Sequence, residues 1–281
     1  MSNELNLPHF LRSRLTMVGT LAAMKGGEIL RRKFGMPMKV NTKTGRYDLV
    51  TEWDSHVEQV IIAFIKEHFP EHAFVAEESG ESGKKGEIQW VIDPIDGTVN
   101  FAHAIPIFAI SIATLVQSEV VSGVIYNPMT NEFFIAEKGN GAYLNGGRLR
   151  VTETSLLYNA IVATGFPSNV RENPRHCLDH FNTFDKMGIP LRCLGSAALE
   201  LAYIAAGRLD CFWTVSLRPW DYMAAKLLIE ESGGSFSDFE GRPYTSIKEG
   251  AIVASNGVLH DQMLKNIQAA FGERERLDEG N

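Results

Sequence analysis

Trp90-Val91-Ile92-Asp93-Pro94-Ile95-Asp96-Gly97-Thr98 sets two carboxylates three residues apart between a short apolar run and a Gly-Thr turn. The apolar run reads as a strand, so the acids and the free N–H groups of the turn gather at its end. Carboxylates hold hard divalent cations, and a turn with unpaired N–H groups holds phosphate oxygens. One segment therefore offers both halves of a metal-assisted phosphate site. Gly97 lets the backbone approach a phosphate closely, and Thr98 offers a hydroxyl that orients a water if a carboxylate such as Asp54 takes up its proton.

Working outward, other acids sit in special places: Asp54 near a helix start, Glu77-Glu78 after a strand, and Asp221 at a second helix start. Taken singly, each has an ordinary explanation as a helix cap or a loop acid. Taken together with Asp93 and Asp96 they form an oxygen-donor set of the kind Mg²⁺ prefers, and three to five carboxylates serve two ions. In such a site one ion ionises water and the other neutralises a departing alkoxide.

Around these acids the chain reads as mixed α/β. Helical spacing from about His9 to Phe34 predicts a long helix, weakened locally by Gly26-Gly27. Met36 to Tyr47 reads as a mobile stretch. Thr51-Glu52-Trp53-Asp54 has the form of a capping box, and Pro70 marks that helix's end. Phe74–Ala76, Trp90–Ile92, Phe108–Leu115, Val120–Tyr126 and Glu132–Ala136 predict a largely antiparallel sheet in the middle of the chain. Beyond Val151 strands and helices alternate, with helices over Ser196–Ala206, Pro219–Ser232 and His260–Phe271 and a frayed charged tail after Gly272. The expected organisation is a single catalytic unit, with an N-terminal half (1–150) carrying most of the acids and a C-terminal α/β half (151–281).

With 281 residues, 44% apolar content and a net charge of −7, the chain is an ordinary globular protein without the basic surface that non-specific nucleic-acid binding needs. Three cysteines (Cys177, Cys193, Cys211) without CxxC spacing exclude a disulfide framework and read as buried small apolar residues in a reducing compartment. No stretch approaches the about 18 apolar residues of a membrane span, and the N-terminal residues lack a signal-peptide pattern. The expected location is cytoplasmic.

WVIDPIDGTVNF (Trp90–Phe101) resembles the first signature of the inositol monophosphatase family, and PWDYMAAKLLIEESGG (Pro219–Gly234) resembles its second. Asp48-Leu49-Val50-Thr51 with Asp54, Phe69-Pro70, Glu77-Glu78-Ser79 and Gly195-Ser196-Ala197-Ala198 match in order, from about residue 10 to 270, most like the bacterial inositol-1-monophosphatase branch. The resemblance implies a layered αβαβα sandwich, two to three Mg²⁺ per subunit, a homodimer and inhibition by lithium. It implies a metal-dependent phosphoric monoester hydrolase, with myo-inositol monophosphate as default substrate. By the same resemblance, Glu77, Asp93 and the Ile95 carbonyl hold a first ion, and Asp93, Asp96 and Asp221 a second. Asp54 and Thr98 activate water, and Gly97 and Thr98 bind phosphate. Gly195, Ser196 and Ala197 line the alcohol pocket beside Asp96 and Asp221, while Lys43 and Glu78 lie near the metals.

One position departs from the pattern. Thr214 stands where inositol-specific members carry a glutamate, and losing a charge-assisted bond there costs about 1.5–3 kcal/mol of discrimination. Histidinol phosphate, fructose-1,6-bisphosphate, a nucleotide phosphate and NADP(H) therefore stay open as substrates of the same chemistry. Some bacterial relatives also serve as binding subunits of transcription complexes, so contact with RNA polymerase or elongation factors is a second expectation. His103 reads as a structural hydrogen-bonder. Arg208 and Arg218 read as surface or interface residues, and Trp53, Trp213 and Trp220 as packing residues.

Overall fold

Ser13 caps the first helix, α1 (Arg14–Lys33), by accepting from the Leu15 N–H, and Arg31, Arg32 and Lys33 complement its C-terminal dipole. The computed structural model describes residues 13–43, 49–83, 86–244 and 247–278. The expected helix start at His9, and Asp48 of the family match, lie outside them. α1 is not weakened at Gly26-Gly27. Both glycines are buried, and a Cβ on Gly27 would meet Tyr126 Cε1 at 2.3 Å, so their smallness lets the helix lie close against the sheet.

The stretch expected to be mobile contains β1 (Val40–Thr42), which pairs antiparallel with β2 (Leu49–Thr51). α2 (Glu52–His68) starts as its capping box predicts: Asp54 Oδ2 accepts from the Thr51 N–H at 2.7 Å, and Thr51 Oγ1 accepts from the Trp53 N–H at 3.1 Å.

The first sheet follows: β3 (Ala73–Ala76), β4 (Gly80–Ser82), β5 (Ile88–Asp96), then, after the short α3 (Thr98–Ala102), β6 (Ala109–Val116), β7 (Glu119–Asn127), β8 (Glu132–Glu137), β9 (Gly141–Leu144) and β10 (Gly147–Arg148). Its eight strands run in the order β10-β9-β8-β7-β6-β5-β3-β4, antiparallel except between β3 and β5. The second sheet uses β11 (Val162–Thr164), β12 (Leu191–Arg192), β13 (Cys211–Leu217), β14 (Ser235–Ser237) and β15 (Gly250–Ser255) in the order β12-β11-β13-β15-β14. The remaining helices are α4 (Cys177–Lys186), α5 (Ala197–Ala205), α6 (Pro219–Glu231) and α7 (His260–Asp278). α4 has no counterpart in the sequence reading, and α7 runs past the expected end at Phe271.

α1 and α2 cover one face of the first sheet, α5 and α6 fill the space between the two sheets, and α4 and α7 cover the outer face of the second. The result is the five-layer αβαβα sandwich expected from the family resemblance. The middle layer is the most apolar: in α5, every residue from Ala198 to Ala205 except Tyr203 is buried. Cys177 and Cys211 are buried as expected, whereas Cys193 is exposed.

Candidate active site

In a regular strand, residues three apart face opposite sides of the sheet. Asp93 and Asp96 avoid this because β5 bulges between them: Asp93 pairs with Ser111 and Asp96 with Ala109 of β6, so three steps oppose two. Pro94 sits in the bulge, where a residue without an N–H costs the ladder nothing. Both acids thereby turn the same way. Asp221 joins them from the first turn of α6, and oxygens of the three carboxylates lie within 4.8 Å of one another.

The surroundings hold these acids in place. Asp93 Oδ1 accepts from the Ile95 N–H at 2.8 Å, and Asp221 Oδ2 from the Arg218 N–H at 2.9 Å. Asp96 Oδ2 accepts from the Ala198 N–H at 2.9 Å and from the Ser196 hydroxyl. Asp93 and Asp96 are buried. Burial, followed by the neighbouring charges of Glu77 and Asp96, raises Asp93 well above the usual carboxylate range. Burial, then Asp96 and Glu77, does the same to Asp221. Burial also pushes Asp96 up to about 7, although bonds from Ser196 and Ala198 oppose the shift. Three acids crowded at the end of β5 and the start of α6 resist joint ionisation, and a cation among them relieves that repulsion. The donors are all oxygens, so the set fits a hard divalent ion such as Mg²⁺.

Glu77 follows β3, its N–H donating to the Ile92 carbonyl at 3.1 Å. Its Oε1 lies 2.9 Å from Lys43 Nζ, which also reaches Glu78 Oε1 at 2.5 Å. Burial disfavours the Lys43 charge, but Glu77 and Glu78 more than offset this and raise its pKa. Lys43 thus bridges Glu77 and Glu78.

Beside the acids, Thr98 Oγ1 lies 2.9 Å from Asp54 Oδ1 and 2.9 Å from the Ile95 carbonyl oxygen. Asp54 is buried and its carboxyl is raised above the ordinary range by that burial, against bonds from Thr51. Gly97 adopts φ +94°, and a Cβ there would come within 3.0 Å of the Gly195 carbonyl oxygen, so glycine is demanded both by conformation and by space.

A cavity of about 960 Å³ opens from Asp221 past Asn100, Gly195, Phe166, Arg218 and Glu249. Gly195 lines it. Ser196 turns inward to Asp96 instead, and Ala197 starts the helix behind it, so these two orient an acid rather than face the cavity. Thr214 also departs from its expected place: it is buried, and its hydroxyl donates to the Gly165 carbonyl at 3.1 Å. His103 Nδ1 bonds to the Val99 carbonyl oxygen, and Arg208 pairs with Glu132.

Two residues escaped the sequence reading. Glu58 is buried and accepts from the N–H groups of Glu78 and Ser79 at 2.8 and 2.9 Å, fixing the turn that carries Glu77. Glu200, pushed up to about 8 by burial, accepts from the Leu194 N–H at 2.7 Å and fixes the Gly195 loop. The available signal was an acid inside an apolar stripe: Glu58 lies between Val57 and Ile61, and Glu200 sits in an otherwise apolar helix.

The family model for the inositol monophosphatase family matches residues 11–271, and the chain belongs to that family. It is 41% identical over 253 residues to the Nus factor SuhB of Escherichia coli, covering 89% of this chain and 94% of that one. It is 40% identical over 266 residues to an inositol-1-monophosphatase of Mesorhizobium japonicum, covering 94% and 99%. The crystal structure of the extragenic suppressor protein SuhB from Bartonella henselae superposes with a TM-score of 0.85 at 36% identity, covering 91% and 98%. No helix among the described residues is long and apolar enough to cross a membrane.

Proposed function

We propose that this chain is a Mg²⁺-dependent phosphomonoesterase acting on a small phosphorylated alcohol, with myo-inositol monophosphate as the default substrate. The observation that carries the reading is the convergence of Asp93, Asp96 and Asp221 beside the Thr98–Asp54 pair. Glu77, Asp93, the Ile95 carbonyl, Asp96 and Asp221 would hold the ions, which supply Lewis acidity and a nucleophilic water at neutral pH. Lys43 would yield its place on Glu77 when they bind.

The chain's own residues account for the proton path. Asp54 is a stronger acceptor than the Ile95 carbonyl, so Thr98 donates its single proton to Asp54 and keeps lone pairs for an incoming water. The water's proton passes to Thr98 Oγ1 as its oxygen attacks phosphorus, and the threonine proton passes to Asp54, whose burial suits it to hold one. The bond from phosphorus to the alcohol oxygen breaks, and the alkoxide takes a proton from solvent. Gly97 and the N–H groups at the start of α3 face the phosphate oxygens.

The test is phosphate release by purified protein, with Mg²⁺ or with EDTA. Its substrates are inositol monophosphate, histidinol phosphate, fructose-1,6-bisphosphate, a nucleotide phosphate and NADP⁺. Mg²⁺-dependent release from at least one is expected, and its absence across the panel counts against the reading.

The similarity to a Nus factor supports a second, binding role toward the transcription machinery. Capture of RNA polymerase by wild type and by Asp93→Asn, equal for both, is the outcome that role predicts.

A further inference from the structure

The cavity wall beyond Asp221 carries a carboxylate that the proposed chemistry leaves unused. Glu249 immediately precedes β15. The ladder between β13 and β15 breaks there: Thr214 pairs with Ile252 and Leu217 with Gly250, so three steps again oppose two. Ser216 Oγ donates to Glu249 Oε1 at 2.5 Å, and Arg218 Nη1 lies 2.6 Å from Glu249 Oε2. The backbone N–H of the same Arg218 donates to Asp221 Oδ2, so one residue ties Glu249 to the acid cluster.

A carboxylate has about four lone-pair directions. Ser216 occupies one on Oε1 and Arg218 one on Oε2, so each oxygen keeps another. The Glu249 side chain is 43% exposed and lines the same cavity as Asp221. Two fixed oxygens with open acceptor directions match two neighbouring hydroxyl donors. Arg218 balances the charge, so the wall does not repel a phosphorylated molecule. Thr214, in contrast, is buried with its hydroxyl committed to Gly165.

We infer that Glu249 is the specificity-determining acceptor for the alcohol part of the substrate, binding a pair of adjacent hydroxyls. The substrate class is then a polyhydroxy-alcohol monophosphate, a cyclitol or sugar phosphate. This inference rests on the phosphatase reading.

The experiment compares wild type with Glu249→Gln on myo-inositol monophosphate and on phenyl phosphate, which has no hydroxyl to bind. The ratio of kcat/KM for the two substrates falls about ten- to a hundredfold in the variant, mainly through KM, as expected for loss of a charge-assisted bond. An unchanged ratio, whether both activities fall or neither does, overturns the inference. So does a variant that gains activity on fructose-1,6-bisphosphate while keeping the ratio, since Arg218 would then be a second phosphate's ligand. Titration calorimetry with myo-inositol monophosphate on both proteins decides the point even if wild type hydrolyses nothing. Weaker binding by the variant supports Glu249, and equal binding overturns it, whereas absent hydrolysis alone counts only against the phosphatase reading.

Discussion

Thr98 Oγ1 and Asp54 Oδ1 meet at 2.9 Å across 44 residues of sequence, joining the first turn of α3 to that of α2. The same Asp54 carboxylate closes the capping box of α2 through its other oxygen. A helix cap and the hydrogen-bond acceptor of Thr98 are therefore one group. Asp54→Asn keeps an oxygen for the cap but loses the charge, so kcat should fall about 10²–10⁴-fold with little change in KM. Thr98→Ala should give a similar loss, and the double variant little more than either, because the two act as a unit. Steady-state phosphate release on the three variants checks this.

Asp93→Asn should abolish hydrolysis while far-UV circular dichroism remains that of wild type. Hydrolysis retained at saturating Mg²⁺ would count against Asp93 as a ligand.

Mg²⁺ should raise the melting temperature of the wild type, because an ion bound among Asp93, Asp96 and Asp221 relieves repulsion only in the folded state. Scanning calorimetry across a Mg²⁺ titration should show this rise, and show it reduced in Asp96→Asn.

Glu58→Ala should weaken the site without touching it. The N–H groups of Glu78 and Ser79 lose their acceptor, and leaving such groups unsatisfied costs about 1–3 kcal/mol. A lower melting temperature and a several-fold higher Mg²⁺ requirement are expected, and Glu58→Gln should recover part of both.

Stability should also fall in mild acid through His180. Its ring is buried edge-on to Trp213 and Phe239, with centroids 5.4 Å away in each case, and burial lowers its pKa to about 4. The folded state therefore refuses a proton that the unfolded chain accepts below about pH 6.5. This contribution is full above pH 6.5 and declines as pH falls toward 4. Urea unfolding at pH 7, 5.5 and 4.5 should show a smaller decline in His180→Phe than in wild type.

Local signals were strong wherever one residue's neighbours in sequence are also its neighbours in space. The capping box at Thr51, the proline in the first turn of α6 and the β-rich strands β6 to β8 form where the sequence predicts them. The β1–β2 pairing was not legible, because each strand is only three residues long and every residue of β1 is exposed. Gly26-Gly27 misled for a related reason. Glycine lowers intrinsic helix stability, yet here it permits a packing distance that only the sheet opposite defines.

Residue types and their order along the chain were enough to specify the acids, the Gly-Thr turn and the family to which they belong. Chemistry of that kind is written in short, contiguous motifs. Which way those groups point was settled by folding alone. The bulge at Pro94 turns Asp96 to the side of Asp93, Ser196 faces Asp96 instead of the cavity, and Thr214 is withdrawn into the sheet while Glu249 lines the wall. Each orientation depends on register against a strand or loop distant in sequence, and a one-residue shift in register sends a side chain to the opposite face. The acidic cluster was therefore readable from Trp90 to Thr98, whereas the cavity wall beside it was not.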